Sequence, residues 1–183
     1  MRDAEVLAGE VVALATGLGL RIAAAESLTG GMLASTIVSV PGASSAFSGG
    51  VVAYDTSLKE TLLAVDPALL RERGPVDGEV ARQMAAGVRI ACAVGNTDAA
   101  SLVSADIGVA TTGVAGPSVD PQSGQPAGTV WLGVSSSLGD RSVLLAATGG
   151  DRASIRRESV LGALELLREE LAALAAVATT ETQ

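Results

Sequence analysis

The sequence contains no histidine, and it has only one cysteine, Cys92, and one lysine, Lys59, among 183 residues. The absence of histidine excludes imidazole bases and histidine metal ligands, and one cysteine cannot form an intrachain disulfide. We therefore expect no zinc site and no cofactor, and a chain suited to the reducing cytoplasm. Only an all-oxygen site for a hard cation remains compatible with this composition.

Aromatic residues and positive charge are also scarce. Phe47, Tyr54 and Trp131 are the only aromatic residues, and 20 acidic against 12 basic residues give a net charge of −8. Generic binding to nucleic acids or anionic membranes requires a basic surface, and single-stranded nucleic acid requires several stacking aromatics. The longest uncharged stretch, residues 27–54, is half serine, threonine, glycine and proline and does not resemble a membrane span. We expect neither nucleic acid nor membrane as a partner.

Apolar residues make up 48% of the chain. In some segments they recur with helical spacing, and in others they form short continuous runs that are typical of buried strands. Helices are predicted over residues 3–18, 32–40, 57–63, 67–73, 78–94 and 151–177. Strands are predicted over residues 21–25, 49–55, 107–112, 128–135 and 142–148. This order is typical of a three-layer α/β/α sandwich, and the last two strands, with no helix between them, predict an antiparallel hairpin in a mixed sheet. We expect one domain over residues 1–178 and a disordered tail over residues 179–183.

A turn of small residues, Glu26-Ser27-Leu28-Thr29-Gly30-Gly31, follows the first predicted strand. Ser27 is a candidate nucleophile, and the backbone N–H groups of Thr29, Gly30 and Gly31 are candidates for holding a phosphate or an oxyanion. The turn lacks the Lys-Ser/Thr pair of a Walker A loop and the spacing of the dinucleotide-binding fingerprint. The alternative is structural: Ser27 or Thr29 caps the next helix, and the glycines relieve crowding.

Lys59 stands alone beside eleven arginines, and Tyr54, five positions earlier, is the only tyrosine. Lysine can lose its proton and act as a base, whereas arginine cannot. Without histidine, a serine nucleophile needs a lysine, a carboxylate or a tyrosinate to accept its proton. Such a lysine requires a lowered pKa, and Tyr54 would relay the proton or hold the amine. The alternative is a surface lysine and a core tyrosine in a composition that has drifted toward arginine.

Two further segments carry candidate binding groups. The segment from Thr112 to Pro117 leaves the carboxyl end of a predicted strand, where α/β proteins bind ligands, and its candidate contacts are Thr112, Gly113, Ala115 and Gly116. Arg152, at the start of the last helix, is a candidate clamp for an anionic substrate. The alternatives are a Gly/Pro surface turn and a solvated arginine behind a helix cap.

Together these segments resemble the CinA C-terminal domain family, whose stand-alone members are nicotinamide-nucleotide amidohydrolases. The matching segments, in family order, are residues 25–31, 41–45, 50–54, 59, 113–117, 128–131 and 150–152. The resemblance implies an α/β/α fold and hydrolysis of the carboxamide of nicotinamide mononucleotide to nicotinate mononucleotide and ammonia, a step of pyridine nucleotide salvage. It implies Ser27 as nucleophile, Lys59 as base and Tyr54 as their partner. Larger relatives carry an additional N-terminal molybdopterin-binding-like domain.

Three positions depart from the family pattern. Thr56 stands where asparagine is common, Asp77 where serine is usual, and Gln125 where lysine is common. None belongs to the implied catalytic trio. We expect a small-molecule mononucleotide as the ligand and a homodimer as the assembly. The alternative from another class is a non-catalytic nucleotide-binding or assembly module that retains the fold and the pocket.

Overall fold

The computed structural model of the protein describes residues 3–96, 99–145 and 150–180. The helices are α1 Ala4–Leu18, α2 Met32–Val38, α3 Thr56–Leu63, α4 Pro67–Arg73, α5 Gly78–Ala91 and α6 Arg152–Thr180, with one 3₁₀ turn at Ala43–Ser45. The strands are β1 Ile22–Glu26, β2 Phe47–Val52, β3 Val94–Asn96, β4 Ala99–Val103, β5 Ile107–Gly113, β6 Val130–Ser136 and β7 Gly139–Leu145. Among the described helices, none is long and apolar enough to cross a membrane.

Five strands form a mixed sheet in the order β2-β1-β5-β6-β7. Strand β1 pairs in parallel with both β2 and β5, whereas β6 and β7 are antiparallel to their neighbours. The predicted mixed sheet and its terminal hairpin are confirmed. The register sets Glu26 opposite Val52 on one side and Thr111 on the other, so that the carboxyl ends of β1, β2 and β5 meet at one edge.

Helices cover both faces of this sheet, which confirms the three-layer α/β/α class. One hydrophobic cluster joins α1, α2 and α6 to one face, and a second joins α3, α4 and α5 to the other. Helix α5 lies directly on the backbone of the sheet, because a side chain on Gly108 or Gly133 would collide with the carbonyls of Ala85 and Ala81. This close packing fixes the strands whose ends carry the candidate site.

Aspartates begin several helices by accepting backbone N–H bonds at the first turn. The Asp55 side chain accepts from Ser57 N at 2.8 Å and begins α3, which carries Lys59. Asp77 accepts from Glu79 N at 2.7 Å and begins α5. Serine caps a helix about as well as aspartate, so the departure from the family pattern at position 77 is compatible with the same helix start.

The structure differs from the predicted elements mainly in the second half of the chain. Helix α5 ends at Ala91, and the unpredicted strands β3 and β4 pair in antiparallel fashion as a separate two-stranded sheet. Strand β7 begins at Gly139, earlier than predicted, and residues 146–148 of the predicted strand lie outside the described part of the chain. Helix α6 continues to Thr180, so residues 179 and 180 are helical and not part of a disordered tail.

Candidate active site

A cavity of about 350 Å³ opens at the sheet edge where β1, β2 and β5 end. Its wall includes Ser27 from the turn after β1, Lys59 from α3 and Arg152 from α6. The segment after β5, residues 112–117, forms another part of the wall. The sheet topology therefore brings together segments that are far apart in the sequence, at the position where α/β proteins bind their ligands.

Ser27 and Lys59 form a buried hydrogen-bonded pair at this cavity. Lys59 Nζ donates to Ser27 Oγ at 3.1 Å and to the carbonyl oxygen of Ala53 at 2.8 Å. The lysine is only 1% exposed, although it belongs to a short helix at the surface of the fold. A serine hydroxyl within hydrogen-bond distance of a buried amine is the geometry that nucleophilic catalysis by serine requires.

Burial changes the acid–base properties of Lys59. Desolvation of the ammonium lowers the pKa of Lys59 to about 8 from its ordinary value of 10.5, and the carboxylates of Asp55 and Asp120 oppose this shift. An amine with a pKa near 8 is partly deprotonated at neutral pH. It can therefore accept a proton from a neighbouring hydroxyl, which an ordinary surface lysine does rarely.

The glycines after Ser27 do not supply free amides to the cavity, contrary to the prediction. The Glu26 carboxylate accepts bonds from the backbone N–H groups of Gly31 at 3.0 Å, Leu33 at 3.0 Å and Ala34 at 2.8 Å. The N–H of Gly30 donates to the carbonyl oxygen of Ser27 at 3.2 Å. Helix α2 therefore begins on a buried carboxylate of the same chain, and its positive end is already neutralised.

Thr29 also has a structural place. Its side chain is fully buried, and its hydroxyl shares a 2.8 Å hydrogen bond with the hydroxyl of Thr111 on β5. Neither Thr29 nor the two glycines belong to the cavity lining. The Thr29 side chain and the two glycines are therefore not part of the described cavity wall.

The remaining predicted binding residues do line the cavity. Thr112 is buried and uses its hydroxyl to bond the carbonyl oxygen of Pro75 at 2.7 Å, which holds the turn before α5 against the site. Gly113, Ala115 and Gly116 form the adjoining wall. Arg152 donates to the carbonyl oxygen of Gly116 at 3.0 Å and stands at the mouth.

Tyr54 lies at the same mouth and not on the serine–lysine pair. The side chain is 61% exposed, and its hydroxyl accepts a 2.9 Å hydrogen bond from Arg152 Nη2. The contact that holds the lysine amine comes instead from the carbonyl of the preceding residue, Ala53. The expected partnership of Tyr54 with Lys59 is thus replaced by a partnership with Arg152.

Sequence reasoning missed two charged residues of the site. Asp120 lines the cavity, and its carboxylate is fixed by bonds of 2.6 Å from both the backbone N–H and the hydroxyl of Ser123. Arg156 donates hydrogen bonds to the carbonyl oxygens of Leu28 and Thr29 in the turn after Ser27. Two features of the sequence could have indicated these residues. Arg156 lies one helical turn after Arg152, and Asp120 is the only acidic residue in its Gly/Pro-rich loop.

Thr56 and Gln125, which depart from the family pattern, lie in different structural surroundings. Thr56 lines the cavity at the start of α3, so it is positioned to contact a ligand bound there. Gln125 contributes through its backbone, because its carbonyl oxygen accepts from the N–H of Asp120 at 2.9 Å. Among the described residues, no group of histidine, cysteine, aspartate or glutamate side chains is arranged to hold a metal ion.

Comparison with known proteins places these features in a family. Residues 4–171 match the family described as the CinA C-terminal domain. A CinA-like protein of Frankia casuarinae is 44% identical over 170 residues, which are 92% of this chain and 36% of that protein. A putative competence-damage inducible protein of Limosilactobacillus fermentum is 41% identical over 87% of this chain and 36% of its own length. The chain thus spans just over a third of the length of these curated relatives.

Solved structures agree with the fold. A crystal structure of a competence-damaged protein (CinA) superfamily protein from Klebsiella pneumoniae superposes with a TM-score of 0.82 at 27% identity, covering 93% of this chain and 99% of that one. The competence/damage inducible protein CihA from Agrobacterium tumefaciens superposes with a TM-score of 0.79 at 31% identity, covering 91% and 94% of the two chains.

Proposed function

The chain belongs to the CinA C-terminal domain family, and we propose that it hydrolyses the carboxamide of nicotinamide mononucleotide to nicotinate mononucleotide and ammonia. The reaction would serve cytoplasmic salvage of pyridine nucleotides. The observation that carries the proposal is the 3.1 Å hydrogen bond between Ser27 Oγ and the buried amine of Lys59 at the wall of a cavity. No step of the proposed reaction requires a metal or a cofactor.

Acylation begins with the neutral form of Lys59. The amine accepts the hydroxyl proton of Ser27 as Oγ attacks the carboxamide carbon, and the electron pair of the C=O bond moves to the oxygen. When the tetrahedral intermediate collapses, the C–N bond breaks and the Lys59 ammonium returns its proton to the leaving nitrogen. Ammonia departs, and the nicotinoyl group remains as an ester on Ser27.

Deacylation uses the same amine a second time. Lys59 accepts a proton from a water molecule that attacks the ester, and it returns the proton to Ser27 Oγ as the ester bond breaks. Nicotinate mononucleotide then leaves as the carboxylic acid, which ionises in water. The bond from Lys59 Nζ to the Ala53 carbonyl at 2.8 Å keeps the amine beside Ser27 through both halves of the reaction.

The charges around the cavity match this substrate. Three of the described lining residues are charged: Lys59, Asp120 and Arg152. Nicotinamide mononucleotide carries a positive pyridinium ring and a negative phosphate. Arg152 at the mouth offers donors to the phosphate, and Asp120, which acts electrostatically on Lys59, offers a negative charge near the ring. The cavity volume of about 350 Å³ falls within the range of small-molecule sites.

Ammonia release by the purified chain tests the proposal. Nicotinamide mononucleotide and free nicotinamide are compared as substrates in buffer containing EDTA, with Ser27→Ala as the control. We expect ammonia from the mononucleotide, little from nicotinamide, and none above background from Ser27→Ala. Binding of the mononucleotide without ammonia release would contradict hydrolysis and would favour a non-catalytic nucleotide-binding module.

A further inference from the structure

Arg156 forms hydrogen bonds with the turn that carries Ser27. This half-buried residue lies on α6, one helical turn after Arg152. Its Nε donates to the carbonyl oxygen of Leu28 at 3.0 Å, and its Nη2 donates to the carbonyl oxygen of Thr29 at 2.7 Å. The rigid, planar guanidinium therefore fixes the orientation of two successive peptide groups, which a lysine ammonium cannot do with the same geometry.

The fixed carbonyls determine where the neighbouring N–H groups point. In a trans peptide the N–H is directed opposite to the C=O of the same peptide group, so the N–H groups of Thr29 and Gly30 point away from Arg156. The N–H of Gly30 indeed reaches the carbonyl oxygen of Ser27, at 3.2 Å. Arg156 thus directs this part of the backbone toward the residue that carries the nucleophile.

Two amides of this turn have no acceptor within the described parts of the chain. They are the N–H groups of Leu28 and Thr29, the two residues directly after Ser27. Both residues are buried, with exposures of 3% and 0%. A buried N–H without an acceptor is costly, and nearly all buried amides in folded proteins are paired. The amides that begin α2, by contrast, are occupied by Glu26.

We propose that the Leu28 and Thr29 amides form the oxyanion site of the reaction and that Arg156 is their positioning residue. Arg156 fixes the Thr29 amide directly through the Leu28 carbonyl, and it acts on the Leu28 amide through the Gly30 N–H, which bonds the Ser27 carbonyl. The inference rests on the proposed amide hydrolysis. When Ser27 Oγ bonds to the carboxamide carbon, negative charge develops on the oxygen of that carbon. The two amides donate to this oxygen until the electron pair returns to re-form C=O and the C–N bond breaks.

Replacing the substrate oxygen with sulfur tests the oxyanion site directly. Sulfur accepts hydrogen bonds weakly, so the parent protein should turn over nicotinamide mononucleotide on the order of 10²-fold faster than its thioamide analogue, the loss expected for one oxyanion donor. In Arg156→Gln and Arg156→Lys, kcat for the carboxamide should fall on the order of 10²-fold with little change in KM, because the donors are displaced. The preference for oxygen over sulfur should shrink in both variants.

Arg157→Gln is the matched control, since it removes the same charge from the next residue, whose Nη2 donates to the hydroxyl of Ser154 at 3.0 Å. It should keep the parental kcat and oxygen preference. If the parent turns over nicotinamide mononucleotide and its thioamide analogue at equal rates, the proposed oxyanion site is overturned. A parental oxygen preference in folded Arg156→Lys or Arg156→Gln would overturn the role of Arg156. A parent that releases no ammonia from the mononucleotide would instead overturn the proposed function itself.

Discussion

Arg152 Nη2 donates a 2.9 Å hydrogen bond to the hydroxyl of Tyr54, and the same guanidinium donates to the carbonyl oxygen of Gly116 at 3.0 Å. The tyrosine therefore connects β2 to α6 across the mouth of the cavity. Its hydroxyl is engaged away from the Ser27–Lys59 pair, whose amine is held by the carbonyl of Ala53. The Tyr54 hydroxyl thus lies at the cavity mouth, and we propose that it acts in substrate entry and not in proton transfer.

Tyr54→Phe distinguishes these two roles. The ring and its position are retained, and only the bond to Arg152 is lost. We expect KM to rise because Arg152 is less well oriented, while kcat stays within about 10-fold of the parent. Steady-state kinetics with nicotinamide mononucleotide measure both constants. A proton relay through Tyr54 predicts the opposite pattern, a collapse of kcat with an unchanged KM.

The sequence alone selects Ser27 and Lys59 as the candidate pair, but the geometry of the pair could not be predicted from it. A chain without histidine and with a single lysine leaves few bases for a serine nucleophile, and this reasoning selected Lys59. The burial of Lys59 was not predictable, because it depends on how α3 packs against the end of β1. The 3.1 Å contact arises from the parallel pairing of β1 and β2, which places Ala53 beside the Ser27 turn.

The predicted free amides of Gly30 and Gly31 are occupied in the structure for a related reason. Glycines before a helix suggest free amides, but sequence alone does not show which acceptor occupies them. Here Glu26, the last residue of β1, turns its carboxylate back onto the start of α2. The β3–β4 pair was missed because β3 follows α5 after only two positions and the predicted helix extends to Val94.

The pH dependence of activity should report the ionisation of Lys59. Since only the neutral amine accepts the serine proton, kcat/KM should rise with pH and level off above the lysine pKa of about 8. In Asp120→Asn the carboxylate no longer stabilises the ammonium, so the rising limb should move to lower pH. KM for the mononucleotide should increase as well, because its pyridinium ring loses a nearby negative charge.

Asp3→Asn is the control for this charge removal. Asp3 begins α1 on the opposite face of the sheet from α3, and asparagine caps a helix as well as aspartate does. Its pH profile should match that of the parent. A limb that stays in place in Asp120→Asn, or moves upward, would contradict an electrostatic action of Asp120 on Lys59.

Lys59 should also make stability depend on pH. Its pKa is lowered in the folded state, so between about 8 and 10.5 the unfolded chain binds more protons than the folded chain. The free energy of unfolding contributed by this group therefore rises with pH across that window, by up to about 3 kcal/mol. Urea unfolding of the parent and of Lys59→Met at pH 7 and pH 10 measures the difference. The free energy of unfolding of the parent, relative to that of Lys59→Met, should be higher at pH 10 than at pH 7. If this difference does not increase, Lys59 is not desolvated.

Glu26→Gln tests the carboxylate that begins α2. The amide group of glutamine directs N–H donors at backbone N–H groups, so at least one bond to Gly31, Leu33 or Ala34 is lost in a buried position. We expect a loss of about 2 to 3 kcal/mol in the free energy of unfolding. Glu5→Gln, which removes an exposed carboxylate from the first turn of α1, should change stability far less. Equal effects of the two substitutions would indicate that Glu26 does not secure the turn.

The most direct test of the serine–lysine mechanism is the turnover of Lys59 variants, measured together with their melting temperatures. Lys59→Met keeps the approximate length of the side chain but cannot accept a proton, and Lys59→Arg keeps a charge that does not dissociate near neutral pH. Because the side chain is only 1% exposed, arginine is expected to lower the melting temperature more than methionine. Both variants should lose turnover of nicotinamide mononucleotide by on the order of 10⁴-fold while Lys59→Met remains folded. Near-parental ammonia release by either folded variant would contradict the account, and the base would then have to be Glu26, Asp55 or Tyr54.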